Sequence, residues 1–460
     1  MPKLRLCALI LLFSSFTCAA FGQSGSHHAL IVMSIDGLRP DYVLKADEHG
    51  LKIPHLRRLL QDGAHAESVQ GVLPTVTYPS HTTMLTGVWP EKHGIYSNET
   101  FDPYAKNLGG WYWYSEDIRS RTLWQAAADA GYVVGSVSWP VSVSAPGVRY
   151  LIPEYWRAMT PDDLKLLRAL STPGLMNELE KSEGRYTTDL NDAIPGDWGR
   201  TRYAAALIRK KHVQFLTFHF AALDHLEHAG GPFSADANSA LEQIDNMVGV
   251  LEDAIRHEDP AATICIVSDH GFARVDHILN LDQEFVKAGL ITLKTQGNSL
   301  ALSGVADWKA EPWLDGGSAA IVLKDPKDKA TAARVKQLLD RLAADPKNGI
   351  AGILNRAQIA QLGGAPVAEF WVDMRPGFAI GSALEGPLVR EVSVRGTHGY
   401  SPTHPELRAF FLIAGPEIRK GANVGDIDMR SIAPTLAKVL GADLPAAALL
   451  ALNIFTSSAK

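Results

Sequence analysis

Five stretches of this chain, at about 29–35, 133–137, 213–220, 262–267 and 408–414, are continuously apolar, and helical patterns near 55–63, 79–86, 120–130, 200–210, 236–257 and 430–440 lie between them. A strand with one wet face alternates apolar and polar residues, whereas an unbroken apolar run has both faces covered. The pattern therefore predicts an α/β fold: a largely parallel central sheet with helices on both faces. Residues from about 273 to 395 interrupt it. They carry Gly297-Asn298-Ser299, Asp315-Gly316-Gly317, a charged helix over 330–344 and a Gly/Pro-rich segment over 363–377, and they predict a small inserted α+β cap. The expected organisation is a leader over 1–22, a core over 23–272, the cap over 273–395 and a return to the core over 396–460.

At 460 residues the chain fits one large domain carrying an insertion as well as two or three domains. The formal charge is −6, and loss of a leader holding Lys3 and Arg5 makes it two charges more negative, which argues against binding a nucleic-acid duplex. Met1-Pro2-Lys3-Leu4-Arg5, an apolar stretch over 6–13 and small residues up to Gly22 have the pattern of a secretory signal peptide, with cleavage after Ala20 or Gly22. The apolar stretch is shorter than the roughly 20 residues of a membrane span, so no stable membrane insertion is expected. Cys7 and Cys18 fall in the leader, leaving Cys265 inside an apolar strand. A mature chain with one cysteine has no internal disulfide, and the expectation is a periplasmic or secreted protein, the periplasm fitting better.

The polar residues that end the apolar runs carry the chemistry. Asp36 ends the first run, Asp224 and His228 follow the third, Asp269-His270 follows the fourth, and His398 lies in Gly396-Thr397-His398-Gly399-Tyr400. Open α/β sheets bind ligands beyond the C-terminal ends of their strands. Asp224 and His228 are four apart, one turn of helix, and with His398 they make one three-ligand set. Asp36, Asp269 and His270 make a second, with the oxygen of Thr77 as a fourth ligand. Carboxylates and imidazoles without cysteine suit Zn²⁺ better than Mn²⁺ or Fe. Taken singly, each residue has a plainer reading: Asp36-Gly37 is a turn signal, and a lone histidine is usually a core or surface residue. Four segments each supplying Asp or His are hard to produce by capping alone.

Thr77 lies in Pro74-Thr75-Val76-Thr77-Tyr78-Pro79-Ser80-His81, a turn entering an apolar helix. Its plain role is to cap that helix, which Thr75, Ser80 or Thr82 could do instead. Threonine is a weak nucleophile, and metal coordination is one of the few ways to activate it. Two ions about 3.5–4 Å apart can divide the work, one acidifying the attacking hydroxyl and one stabilising the leaving oxygen.

These segments, together with Thr86-Gly87-Val88-Trp89-Pro90-Glu91-Lys92-His93-Gly94-Ile95, resemble the nucleotide pyrophosphatase/phosphodiesterase family of the alkaline phosphatase superfamily, in order and spacing from about residue 29 to 432–436. The resemblance implies an alkaline-phosphatase-like core, two Zn²⁺ ions and a covalent phosphoryl-threonine intermediate that water hydrolyses. It makes Thr77 the nucleophile and Asn98 a donor to a non-bridging phosphate oxygen, acting with the backbone amide beside the nucleophile. Tyr78 stands where the family has an aromatic against the nucleobase, and Tyr155 resembles the other side of that clamp. His81, His93 and Asn107 lie in matching motifs and are expected to make structural hydrogen bonds. The chain lacks the cysteine-rich segments of animal members, carries Phe272 where many have methionine, and has Ser80 where many have asparagine. The expected activity is hydrolysis of phosphodiester or pyrophosphate bonds of small nucleotide-like substrates. Alternatives are a phospholipase C-like or choline-phosphate phosphodiesterase, an alkaline phosphomonoesterase, and a silent zinc-dependent binder of phosphorylated ligands. Monoester specialists usually add a cation for the extra phosphate charge, whereas Asn98 is neutral, which favours a diester.

Overall fold

The computed structural model describes residues 27–107, 109–157, 160, 162–186, 194–294 and 304–457. The leader over 1–22 and Gly297-Asn298-Ser299 lie outside these residues.

The centre is an eight-stranded sheet made of β1 (Leu30–Ile35), β2 (Ala64–His65), β3 (Val134–Val137), β4 (Tyr150–Ile152), β5 (Phe215–Phe220), β6 (Thr263–Val267), β7 (Phe411–Ala414) and β8 (Ala422–Asn423), in the spatial order β8-β2-β7-β6-β1-β5-β3-β4. From β6 to β4 the strands are parallel. β7 runs antiparallel to both β6 and β2. The chain reaches β7 from the His398 loop, which crosses the C-terminal ends of the parallel strands, so its next strand must run the opposite way.

The continuous apolar runs serve both faces. Ile31, Met33 and Ile35 of β1, with Leu216, Phe218 and Phe220 of β5, pack under helices α1 (Pro54–Asp62), α4 (Ile194–Lys211) and α6 (Ala235–Glu258). Leu30, Val32, Phe215, Cys265 and Val267 pack on the other face against α2 (Thr77–Thr86), α3 (Leu123–Asp129) and α7 (Ile432–Leu440). Each fully covered Phe or Leu contributes about 1.5–3 kcal/mol by leaving water. This two-sided burial is what makes the strand ends rigid supports. Cys265 is free and buried, and burial pushes its thiol well above the ordinary range, so it is an inert core residue. No helix among the described residues is long and apolar enough to cross a membrane.

A second apolar core lies under an antiparallel sheet of the strands Ala310–Leu314, Ser318–Leu323, Ile350–Asn355 and Ala368–Met374, covered by the helix Lys329–Ala344. The strand Ala273–Asn280 leaves the central sheet and pairs with Gly377–Gly381 and Val389–Thr397. The last of these delivers His398. The turn at Asp315-Gly316-Gly317 braces that residue: the Gly317 N–H donates to the His398 carbonyl at 2.8 Å. A Cβ at Gly316, whose φ is +76°, would lie 2.8 Å from the same carbonyl, so the close approach requires glycine.

Candidate metal centre

Register places the first group. Ser34 of β1 is level with Val267 of β6, so Asp36 and Asp269, each two residues further on, leave the sheet side by side. Both are buried, as is His270. The Gly37 N–H donates to Asp269 Oδ1 at 3.2 Å, and His219 Nε2 lies 2.9 Å from Asp36 Oδ2. Each carboxylate thus has one oxygen engaged, and Asp36 Oδ1 and Asp269 Oδ2 are buried without a hydrogen-bond partner. These bare oxygens lie 3.4 and 3.2 Å from His270 Nε2. A buried acceptor left bare costs about 1–3 kcal/mol, more when charged.

The second group is built on α5 (Ala222–Gly230), which begins directly after β5, and on the His398 loop. Asp224 Oδ2 lies 3.5 Å from His228 Nε2 across one helical turn, and Asp224 Oδ1 lies 3.5 Å from His398 Nε2. His270 falls between the groups: its ring stacks on His398 at 3.8 Å, and it converges with Asp224 and His398 as well as with Asp36 and Asp269. His228 is at the margin, with its side chain 42% exposed, and is not part of that tightest convergence. Asp36, Asp269, Asp224, His270 and His398 therefore meet at one place, with His270 close to both groups and His228 at their margin.

The imidazoles are all turned the same way. Nδ1 of His270, His398 and His228 faces the carbonyls of Gly271, Thr75 and Gly396, each at 3.2 Å. A carbonyl only accepts, so Nδ1 carries the proton and the Nε2 lone pair points into the centre, the arrangement a metal ligand needs. Burial first, and then the neighbouring His228, holds His270 down to about 3; burial and the neighbouring histidines hold His398 well below the usual range. Burial, reinforced by Asp269 and Asp224, pushes the Asp36 carboxyl well up. Neutral imidazoles among crowded carboxylates form a site that a divalent cation would relieve. The separations agree, since two donors about 2.0–2.1 Å from one tetrahedral ion lie roughly 3.3 Å apart.

Thr77 is the first residue of α2, and its Oγ1 lies 3.4 Å from His270 Nε2. Val76 caps that helix without a side-chain bond, while Thr75 and Thr82 donate to the carbonyls of Tyr400 and Tyr78. The Thr77 hydroxyl is therefore not spent on capping. Asn98 Oδ1 accepts from the Tyr78 N–H at 2.8 Å. A backbone N–H can only donate, so this bond fixes the side-chain amide with Nδ2 as the remaining end. Tyr78 itself is fully buried: its hydroxyl donates to Glu154 Oε1 at 2.9 Å and its ring meets Trp111 edge-on, so no face is open to a base. Tyr155 is half-buried and leans on Trp113. His81 bonds the Thr77 carbonyl and Ser34, His93 bonds Thr83, and Asn107 bonds Thr100. Sequence reasoning missed His219 and Glu154, which line the back of the centre. The available signal was a histidine in the middle of Phe215-Leu216-Thr217-Phe218-His219-Phe220, where every neighbour is buried.

Residues 30–401 match the profile of the type I phosphodiesterase / nucleotide pyrophosphatase family. The chain belongs to that family. Among its curated members, human ectonucleotide pyrophosphatase/phosphodiesterase family member 1 is 25% identical over 252 residues, 52% of this chain and 23% of that one. An uncharacterised pyrophosphatase/phosphodiesterase of Schizosaccharomyces pombe is 25% identical over 442 residues, 92% of this chain and 79% of that one. The chain thus spans about a quarter of the first relative and most of the second. Of solved structures, murine ectonucleotide pyrophosphatase/phosphodiesterase 5 superposes with a TM-score of 0.64 at 19% identity, covering 93% of this chain and all of that one. The fold is that of the family, an alkaline-phosphatase-like core.

Proposed function

We propose that this protein is a two-zinc phosphodiesterase or nucleotide pyrophosphatase in which Thr77 attacks phosphorus. The observation that carries the reading is the convergence of Asp36, Asp269, Asp224, His398 and the shared His270, with Thr77 Oγ1 3.4 Å from His270 Nε2. Asp36, Asp269 and His270 would hold one ion beside Thr77, and Asp224, His228 and His398 the other. Bound there, the ions would acidify the threonine hydroxyl and offset the charge on phosphate and leaving oxygens.

The protein's own residues do the rest. α2 presents Thr77 Oγ1 to the centre, 3.4 Å from His270 Nε2. Attack forms a Thr77–phosphoryl bond and breaks the bond to the leaving alcohol or phosphate, which takes up a proton. Asn98 Nδ2, fixed by the Tyr78 N–H, donates to a non-bridging oxygen as charge builds there. Water then cleaves the threonine ester and releases a phosphomonoester such as a nucleoside 5′-monophosphate. The murine member 5 has also been solved as an inactive threonine-to-alanine variant in complex with AMP, which supports a nucleotide-like substrate and a working threonine. Base stacking is assigned to Tyr155 rather than to the enclosed Tyr78. Export through the leader over 1–22 belongs to the same reading.

The test compares initial rates of zinc-loaded protein on bis(p-nitrophenyl) phosphate, p-nitrophenyl phosphate and p-nitrophenyl thymidine 5′-phosphate. Preference for the thymidine diester is expected. Faster cleavage of the monoester would move the protein to the phosphomonoesterases, and inertness on all three with zinc bound would sink the nucleotide-diester reading in favour of a lipid-type diesterase or a silent binder.

A further inference from the structure

Behind Asp36 runs a line of buried polar side chains with no part in the chemistry above. His219 sits on β5, level with Ser34 of β1, and is 2% exposed. Its Nε2 lies 2.9 Å from Asp36 Oδ2, and its Nδ1 lies 2.9 Å from Glu154 Oε2 and 3.1 Å from the Ser138 carbonyl. Glu154, just beyond β4 and also buried, accepts from the Tyr78 hydroxyl through its other oxygen. Tyr78 follows Thr77, and its N–H orients Asn98. Three side-chain hydrogen bonds therefore join a candidate metal ligand to the turn that carries the nucleophile.

An imidazole and a carboxylate in a sheet interior cost several kcal/mol in lost hydration unless well paired, and an apolar pair of similar volume is usually at least as stable. Stability alone does not explain them. What the line does is choose between the two oxygens of Asp36. The last torsion of an aspartate is broad and nearly two-fold, so the carboxylate could otherwise turn or offer both oxygens. With Oδ2 held by His219, only Oδ1 faces His270 Nε2. Glu154 in turn sets the ring of His219, and the Tyr78 hydroxyl sets Glu154.

We propose that His219 and Glu154 are positioning residues, which make Asp36 a one-oxygen metal ligand and hold it in register with the Thr77 turn. The proposal rests on the reading of Asp36 as a zinc ligand. Neither residue touches substrate. Partners behind metal ligands typically contribute ten- to a hundredfold in metal affinity or activity.

The experiment uses the full-length protein, zinc-loaded, as wild type, His219→Gln, Glu154→Leu and Glu154→Gln. Zinc per chain is measured against graded chelator, the visible spectrum is recorded after cobalt(II) substitution, and kcat and KM are taken on p-nitrophenyl thymidine 5′-phosphate. His219→Gln and Glu154→Leu are expected to release one ion at about ten- to a hundredfold lower chelator concentration, to change the cobalt spectrum and to lower kcat with little change in KM. Glu154→Gln can accept from Tyr78 and donate to His219, so it is expected to restore most of the loss. Should His219→Gln fail to fold, the two Glu154 variants decide alone. Wild-type zinc retention and cobalt spectrum in both His219→Gln and Glu154→Leu would overturn the proposal while leaving Asp36 a ligand. A wild type that holds no zinc would overturn the ligand reading and the proposal with it.

Discussion

The two halves of the candidate centre are built differently. Asp36, Asp269 and His270 stand on the ends of two adjacent central strands and are covered on all sides. Asp224, His228 and His398 stand on a short helix and on a loop, and His228 reaches solvent. The first half inherits its geometry from the sheet, where a shift of one ligand requires a shift of strand register. The second depends on contacts with the strands and turns of residues 310–397, because His398 is delivered by the strand Val389–Thr397 and braced by the turn at Asp315-Gly316-Gly317. A centre assembled this way has a fixed side, beside Thr77, and a side whose geometry follows residues 310–397. Changes in residues 310–397 are therefore expected to act first on Asp224, His228 and His398, and last on Thr77.

The largest expected effect breaks the chemistry while leaving the six aspartate and histidine ligands in place. Thr77→Ala is predicted to lower kcat by about a thousandfold or more while zinc content stays at the wild-type value, measured by metal analysis beside the rate. Turnover close to wild type would remove Thr77 from the role of nucleophile. The next experiment tests the comparison itself. Asp269→Asn should cost the protein an ion outright and nearly all activity, whereas His228→Gln should weaken retention of the other ion by about ten- to a hundredfold, read as the chelator concentration that removes it. Equal losses in the two variants would mean that the fixed and adjustable halves are not distinct.

The ligands of both halves were legible in the sequence, those of the fixed half most directly. Asp36 and Asp269-His270 could be found because each ends a continuous apolar run, and a run buried on both faces is visible from composition alone. The observed β1, β5 and β6 begin one or two residues inside the expected strands and end where those were placed. What depended on long-range packing was not visible. β4 is only three residues long, too short to show a pattern, so Glu154 had no frame to stand in. The Glu154–His219 contact joins residues 65 apart, and nothing local marks either as the partner of the other. Tyr78 lay in the right motif, but whether its ring faces a ligand or the interior was decided by Glu154, a residue with no signal. The sharing of His270 between the groups follows from the course of the His398 loop, which a count of ligands cannot give.

The smallest expected effect sharpens the dependence of the second half on the turn at Asp315-Gly316-Gly317. Asp315 is buried, and its Oδ1 accepts from the Ser97 hydroxyl, next to Asn98. Burial first, with a contribution from Glu99, raises its carboxyl to about 8 against the Ser97 hydrogen bond, which lowers it. The folded value lies above the unfolded one, so the fold holds this proton more tightly than the open chain does. The stabilisation is complete below about pH 4 and is lost as the pH rises through about 8, at up to about 1.4 kcal/mol per pH unit. Asp282 and Glu311, raised by burial to about 7 and about 8, titrate in the same range. The measurement must therefore be a difference: Tm of zinc-loaded wild type minus that of Asp315→Asn, taken from pH 6 to pH 9, in which the shared groups cancel. Wild type is expected to fall behind the variant as the pH rises from 6 to about 8 and to stay level with that deficit above it, and to lose the more weakly held ion to chelator more readily at pH 9 than at pH 6. Parallel Tm curves would mean that charging Asp315 does not loosen the turn beneath His398, and that the second half is held as firmly as the first.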